Sequence, residues 1–183
     1  MNKRTIAILG VDGSGKSTAV ELVGNHYGDD CVVVYMGFRR FEDPRIEQLQ
    51  KKENRNIIDA LRILLLTYRC FWLRYNNALK KNKIVLFDRY THEGYINASG
   101  RFKGLRVFLF RYLFPKPSKM VYLHCSVEES LKRKDDITNK EIFIAMKKRF
   151  DDFFLQRDGV LCLDSGILDR EEIANRIIKF IDE

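Results

Sequence analysis

The chain has 183 residues, 45% of them hydrophobic and 32% charged, with a formal net charge of +8. That length suits one domain and buries enough apolar surface to fold without a disulfide or metal staple. The ordinary composition, with no Ser/Gly-rich, repeated or biased tract, excludes a disordered, fibrous or repeat protein.

The opening MNKRTIAILG carries basic residues before a short apolar run, without a small-residue cleavage site. It predicts a first strand, Thr5–Leu9, rather than a signal peptide. A glycine-rich loop follows, and then apolar residues at Ala19, Val20, Leu22, Val23 and Tyr27 that predict a helix over Ser17–Tyr27. Cys31–Tyr35 reads as a second strand. Asn54–Lys81, free of Gly and Pro, predicts one long helix. Its greasiest part, Ile57–Leu73, carries Asp59, Arg62 and Arg69, which argues against a membrane span. Ile84–Phe87 predicts a third strand, Leu105–Phe114 a helix stopped by Pro115, and Met120–His124 a fourth strand. Ser126 is placed to cap a helix over Glu128–Lys134, with Glu129 as capping-box partner. A helix over Lys140–Leu155, a strand over Val160–Leu163 and a helix over Arg170–Ile181 complete the chain.

Strands alternating with helices imply βαβ units, a mostly parallel sheet and helices on both of its faces. Ligands of such sheets bind beyond the carboxyl ends of the strands, and each motif below lies at such an end. The cysteines, Cys31, Cys70, Cys125 and Cys162, are dozens of residues apart with no CxxC pair. They read as buried, reduced thiols of a cytoplasmic protein. His26, His92 and His124 share no metal-ligand spacing. The basic residues are spread along the chain, which favours a site that gathers polyphosphate anions over a nucleic-acid or lipid surface.

Gly10–Ser17 reads GVDGSGKS and satisfies G-x-x-x-x-G-K-[ST] in full. Glycines let the backbone curl so that successive N–H groups point at phosphate oxygens, and the helix that follows adds its positive N-terminal end. Lys16 can reach the β- and γ-phosphates, and Ser17 can ligate Mg²⁺. In KIVLFDRY, Lys83–Tyr90, a strand ends at Asp88, where such a loop needs a carboxylate in the Mg²⁺ shell. Arg89 follows, a fork suited to a second anion. In ESLKRK, Lys132, Arg133 and Lys134 close a helix before a polar loop. These cations either neutralise a transferring phosphoryl group or complement the helix dipole.

Together GVDGSGKST, VLFDRYTHEGYINASGR, KPSKMVYLHCSVEESLKRK and LDSG resemble, in order and spacing, the thymidylate kinase family of nucleoside monophosphate kinases. The resemblance implies an α/β fold: a P-loop NTPase three-layer αβα sandwich, with a five-stranded parallel sheet and a short lid at about 132–142, all in one domain. It implies transfer of the γ-phosphoryl group of ATP, with Mg²⁺, to a nucleoside monophosphate, dTMP. ATP would lie on Gly13, Ser14, Gly15, Lys16, Ser17 and Thr18, with Asp164–Gly166 beside the adenine. Asp12 would contact the acceptor sugar, Arg89 would grip the acceptor phosphate, and Arg133, with Lys132 and Lys134, would lean on the transferring group.

The chain departs from that family in two places. Where the family has Arg-Glu-Pro-Gly-Gly, this chain reads YMGFRRFEDPR, leaving Arg39 or Arg40 to supply the cation. The family also reads thymine with a Phe and an Arg one helical turn apart. Here the long helix reads LLLTYRCFWLRYNN, in which Tyr68, Arg69, Phe71, Trp72 and Arg74 form either a related surface or a core and a solvated face.

A hydroxyl acceptor would want a carboxylate base, for which Glu42 and Glu93 are candidates. The cations Arg39, Arg40 and Arg89 favour a phosphate-bearing acceptor instead, and a non-nucleotide acceptor is the remaining kinase reading. A guanine-reading Asn-Lys-x-Asp is absent, since Asn139-Lys140 is followed by Glu141 and Ile142, which speaks against a nucleotide switch. No nucleic-acid or membrane partner is expected. The apolar faces of the long helix leave a homodimer open.

Overall fold

The computed structural model describes residues 4–37, 43–54, 56–81, 83–98, 102–134, 137 and 139–183. At its centre β1 (Arg4–Leu9) lies between β3 (Ile84–Asp88) and β4 (Lys119–His124). β2 (Cys31–Tyr35) flanks β3 and β5 (Val160–Asp164) flanks β4, giving a five-stranded sheet ordered β2-β3-β1-β4-β5. Every pairing is parallel. The strands match the expected runs to within a residue at each end.

Parallel register brings the chemistry to one edge. Ile8 stands opposite Asp88, Tyr35 opposite Asp88, Leu9 opposite Tyr122, and His124 opposite Asp164. The loops after β1, β3 and β5 therefore open on the same side, and the chain order reverses around β1 at that edge.

Period-2 alternation along β1 feeds two cores. Ile6 and Ile8 face α1 (Lys16–Tyr27) and α8 (Arg170–Asp182), packing with Val20, Val23, Ile173 and Ile177. Ala7 and Leu9 face the other layer, an aromatic core built by α3 (Ile57–Lys81), α5 (Lys103–Tyr112) and α7 (Lys140–Phe154). There Phe71 meets Phe110 edge-on at 5.3 Å, and Tyr122 stacks on Phe154 at 4.8 Å. The remaining helices are α2 (Pro44–Lys51), α4 (His92–Ile96) and α6 (Val127–Arg133).

The long helix begins later than its unbroken pattern predicts. Asn56 Oδ1 accepts from Asp59 N at 2.9 Å and Asp59 Oδ2 accepts from Asn56 N at 3.3 Å, a reciprocal cap that sets the start at Ile57. Before it, α2 was not expected, although Asp43 caps it through Arg45 N and Pro44 opens it. The single turn of α4 is too short to leave a periodic signal. Ser126 caps α6 as expected through Glu129 N at 3.1 Å, while the Glu129 carboxylate turns to Arg133 at 2.9 Å. All four cysteines are free, but only Cys125 is fully buried; Cys31, Cys70 and Cys162 are half-buried. No helix among the described residues is long and apolar enough to cross a membrane.

Candidate active site

The loop leaving β1 holds its glycines where side chains do not fit. Gly13 and Gly15 both lie at φ 81°, in the left-handed region. A Cβ on Gly13 would also come within 2.5 Å of the Ser130 carbonyl in α6. Gly15 sits at the N-cap of α1 and provides no side-chain cap. The first-turn N–H groups of the helix therefore have no side-chain acceptor from its N-cap residue. Ser14 Oγ is buried beneath the loop with no hydrogen-bond partner among the described residues. Ser17 and Thr18 are exposed on the first turn of α1.

Lys16 is buried, and its Nζ donates to the Val11 carbonyl at 2.5 Å, folded back over the loop. Burial, aided by the Arg89 charge, lowers its pKa to about 8; Asp12, Glu93 and Asp88 pull the other way. A bound polyphosphate would restore the full charge.

Asp88 ends β3 beside this lysine. Arg89 follows at φ 66°, the one described non-glycine residue in the left-handed region. That conformation costs roughly 1–2 kcal/mol. Its guanidinium is fixed on both arms: Nη1 donates to Glu93 Oε1 at 2.6 Å, and Nη2 donates to Asp12 Oδ1. The two ion pairs hold Arg89 charged. Burial pushes Asp12 up, but Arg89 and Lys16 outweigh it and hold the carboxyl below its ordinary range. Burial dominates at Glu93 and raises its pKa against the pull of Arg89 and Lys16.

Arg133, at the end of α6, reaches across the phosphate loop. Its Nη2 donates to the Ser165 carbonyl at 2.8 Å, Nη1 to Ser165 Oγ at 3.1 Å, and the same Nη1 lies 3.5 Å from the Gly13 carbonyl. It ties the phosphate loop to the turn after β5, where Gly166 N donates to Asp164 Oδ1 at 2.8 Å. Lys132 and Lys134 are exposed beside it. The expected lid at about 132–142 includes residues 135, 136 and 138, which lie outside the described residues.

Beside Arg89 opens a cavity of about 670 Å³. Asp12, Arg89 and Glu93 line it near the phosphate loop, Ile63, Leu64 and Thr67 from α3, Asn97, Phe102, Arg106 and Phe110 from α4 and α5, and Met146, Arg149 and Phe150 from α7. Among the expected site residues, Asp12 and Arg89 line this cavity, with Lys16 and Asp88 close by in charge. Tyr68 and Arg69 do not line it. Tyr68 packs edge-on against Phe110 and Phe114 and donates its hydroxyl to the Leu113 carbonyl at 3.0 Å. Arg69 is exposed and lines a shallow groove between α2 and α3 with Arg45 and Arg62. Phe71 is core, and Trp72 packs against it. Arg39, Arg40 and Glu42 lie outside the described residues.

Sequence reasoning named Glu93 only as a base for a hydroxyl acceptor and missed Asn97, Arg106 and Thr67. Glu93 carried a usable signal, standing four residues after Arg89. The others lie on separate elements, and only packing brings them together.

A glycine-rich loop of the phosphate-binding pattern at the carboxyl end of a central parallel strand, with a paired arginine beside it at the edge of a cavity, is the arrangement of a P-loop phosphotransferase. The chain belongs to the thymidylate kinase family, whose profile matches residues 8–166. Membership makes it a nucleoside monophosphate kinase that phosphorylates dTMP with ATP. Among solved structures, thymidylate kinase from Candida albicans is similar with a TM-score of 0.73, over 98% of this chain and 91% of that one, at 17% identity. No curated protein matches the chain significantly.

Proposed function

We propose the following division of labour in the transfer of the ATP γ-phosphoryl group to dTMP. The triphosphate lies on the N–H groups of Gly13–Thr18, and Lys16 leaves the Val11 carbonyl to meet its β- and γ-oxygens. Arg89, preset at the cavity edge, takes the dTMP phosphate. Asp12 anchors Arg89 and faces the acceptor sugar, while Arg133 fastens the loop to the turn that borders the adenine. The acceptor phosphate is already anionic, so the chemistry needs no general base; it needs alignment and charge neutralisation.

The donor set suits Mg²⁺. The Ser17 hydroxyl and the Asp88 carboxylate are hard oxygen ligands, and no cluster of three or more acidic, His or Cys side chains stands ready for a metal among the described residues. An ion held by so few protein groups takes its other ligands from water and phosphates, as Mg²⁺ does. When bound, it would neutralise charge on the β- and γ-phosphates. The free thiols fit a reducing cytosol.

The observation that carries the acceptor reading is the position of Arg89, held by Asp12 on one arm and by Glu93 on the other at the edge of the cavity. A guanidinium preset beside the phosphate loop suits an acceptor that brings its own phosphate. ATP consumption measured side by side with dTMP, thymidine and other monophosphates tests it. Turnover with dTMP and not thymidine is expected, and Lys16→Ala should lower it by about three orders of magnitude or more without unfolding the chain. Turnover with thymidine alone would overturn the proposal.

A further inference from the structure

In the family this chain resembles, thymine is read by a Phe and an Arg on the long helix. Here the face that α3 turns to the cavity is Ala60, Ile63, Leu64 and Thr67. The Thr67 hydroxyl donates to the Ile63 carbonyl at 2.7 Å, so none of these side chains has a donor left for a base.

The polar groups come from the α4–α5 side. Asn97, at the C-terminal end of α4, lines the cavity, and its Oδ1 is buried with no hydrogen-bond partner among the described residues. Arg106 of α5 lines the same cavity, half-buried, and has no carboxylate partner among them. Gln50 and Arg149 also line it, but they are exposed and belong to its mouth. A buried amide oxygen without a donor costs stability, and so does a half-buried guanidinium without an acceptor. A ligand that supplies an N–H next to a carbonyl satisfies both, with Phe102, Phe110 and Leu64 offering apolar surface to its ring.

We infer that Asn97 and Arg106 read the acceptor base: Asn97 Oδ1 accepts its ring N–H, and Arg106 donates to the adjacent carbonyl oxygen. Building on the dTMP reading above, this makes the site selective for a pyrimidine-2,4-dione, thymine or uracil, whose N3–H stands beside O4. Cytosine presents a bare ring nitrogen beside an amino group, setting acceptor against Asn97 Oδ1 and donor against Arg106. A site built on buried polar groups rejects such a mismatch strongly, because both partners are left unpaired. Guanine offers the same couple as thymine, and the family assignment selects the pyrimidine.

The test is steady-state kinetics of the full chain with dTMP and dCMP, for wild type, Asn97→Ala, Arg106→Ala and Arg106→Lys, with thermal melts to confirm folding. Each alanine variant should raise the KM for dTMP about tenfold or more and reduce the dTMP-over-dCMP preference by a similar factor. The kcat should stay within about threefold and the KM for ATP should not move, since neither side chain touches the phosphates. Arg106→Lys, which keeps a donor, should fall between wild type and Arg106→Ala. If wild type uses dTMP but the preference over dCMP survives in both alanine variants, the inference is wrong while the acceptor assignment stands. If wild type does not turn over dTMP at all, both fall.

Discussion

Arg89 Nη1 donates to Glu93 Oε1 at 2.6 Å, four residues further along the chain, while its other arm holds Asp12 of the phosphate loop. The side chain proposed to grip an acceptor phosphate is thus already engaged by carboxylates on both sides. Asp12 and Glu93 both line the cavity. Burial penalises the charge of Glu93, whereas Asp12 is held ionised, so Glu93 is the partner that an incoming phosphate is expected to displace.

Glu93→Gln removes the competing charge and keeps a hydrogen-bonding group beside Arg89. A unit charge at such range in a half-buried site is worth on the order of 1–2 kcal/mol, so the KM for dTMP should fall roughly tenfold while kcat changes little. Initial rates over a dTMP series check this. A rise in KM would mean that Glu93 holds Arg89 in place rather than holding its site open.

Arg133 is spent on Ser165 and the Gly13 carbonyl, groups of the turn after β5 and of the glycine-rich loop on which ATP is proposed to lie. Arg133→Ala should therefore raise the KM for ATP about tenfold, with a smaller loss in kcat. A kcat lowered a hundredfold at unchanged KM would assign the guanidinium to the transferring phosphoryl group instead.

His92 is buried against Tyr90, Tyr95 and Phe154, and its Nδ1 has no hydrogen-bond partner among the described residues. Burial, with the charges of Arg157 and Lys116, lowers its pKa from 6.5 to about 3. Between those values the unfolded chain binds a proton that the folded chain does not. This residue therefore makes stability fall as pH drops below 6.5, by up to about 1.4 kcal/mol per pH unit. His92→Phe should remove that component. Urea unfolding at pH 7 and pH 5 should show a larger drop in wild type than in the variant, and equal drops would refute the assignment.

The strands were legible because each is a short, uninterrupted apolar run, which in a parallel sheet buried on both faces is how a strand must read. The phosphate loop was legible because its geometry depends on backbone rather than on neighbours: glycines at left-handed φ leave a spacing in the sequence. The long helix was read at its full periodicity, and its start was misplaced because the reciprocal Asn56–Asp59 cap is a local exchange of hydrogen bonds with no apolar signature. The aromatics of that helix could not be divided between site and core from spacing. Tyr68 and Phe71 are a turn apart and both pack on α5, whereas Ile63 and Thr67, a pair with no distinguishing sequence pattern, face the cavity.

The sequence by itself determined where the glycine-rich loop lies, on which edge of the sheet it opens, and that an aspartate and an arginine stand at the end of the third strand. These follow from residues adjacent in the chain, whose backbone geometry is local. Only the tertiary structure decided what lines the cavity beside that loop. Arg89 meets Asp12 across 77 residues, and Asn97 and Arg106 come to one cavity because α4 and α5 pack there together. Such meetings depend on how the helices settle against the sheet, where apolar burial is nondirectional and leaves no fixed spacing in the sequence to be read.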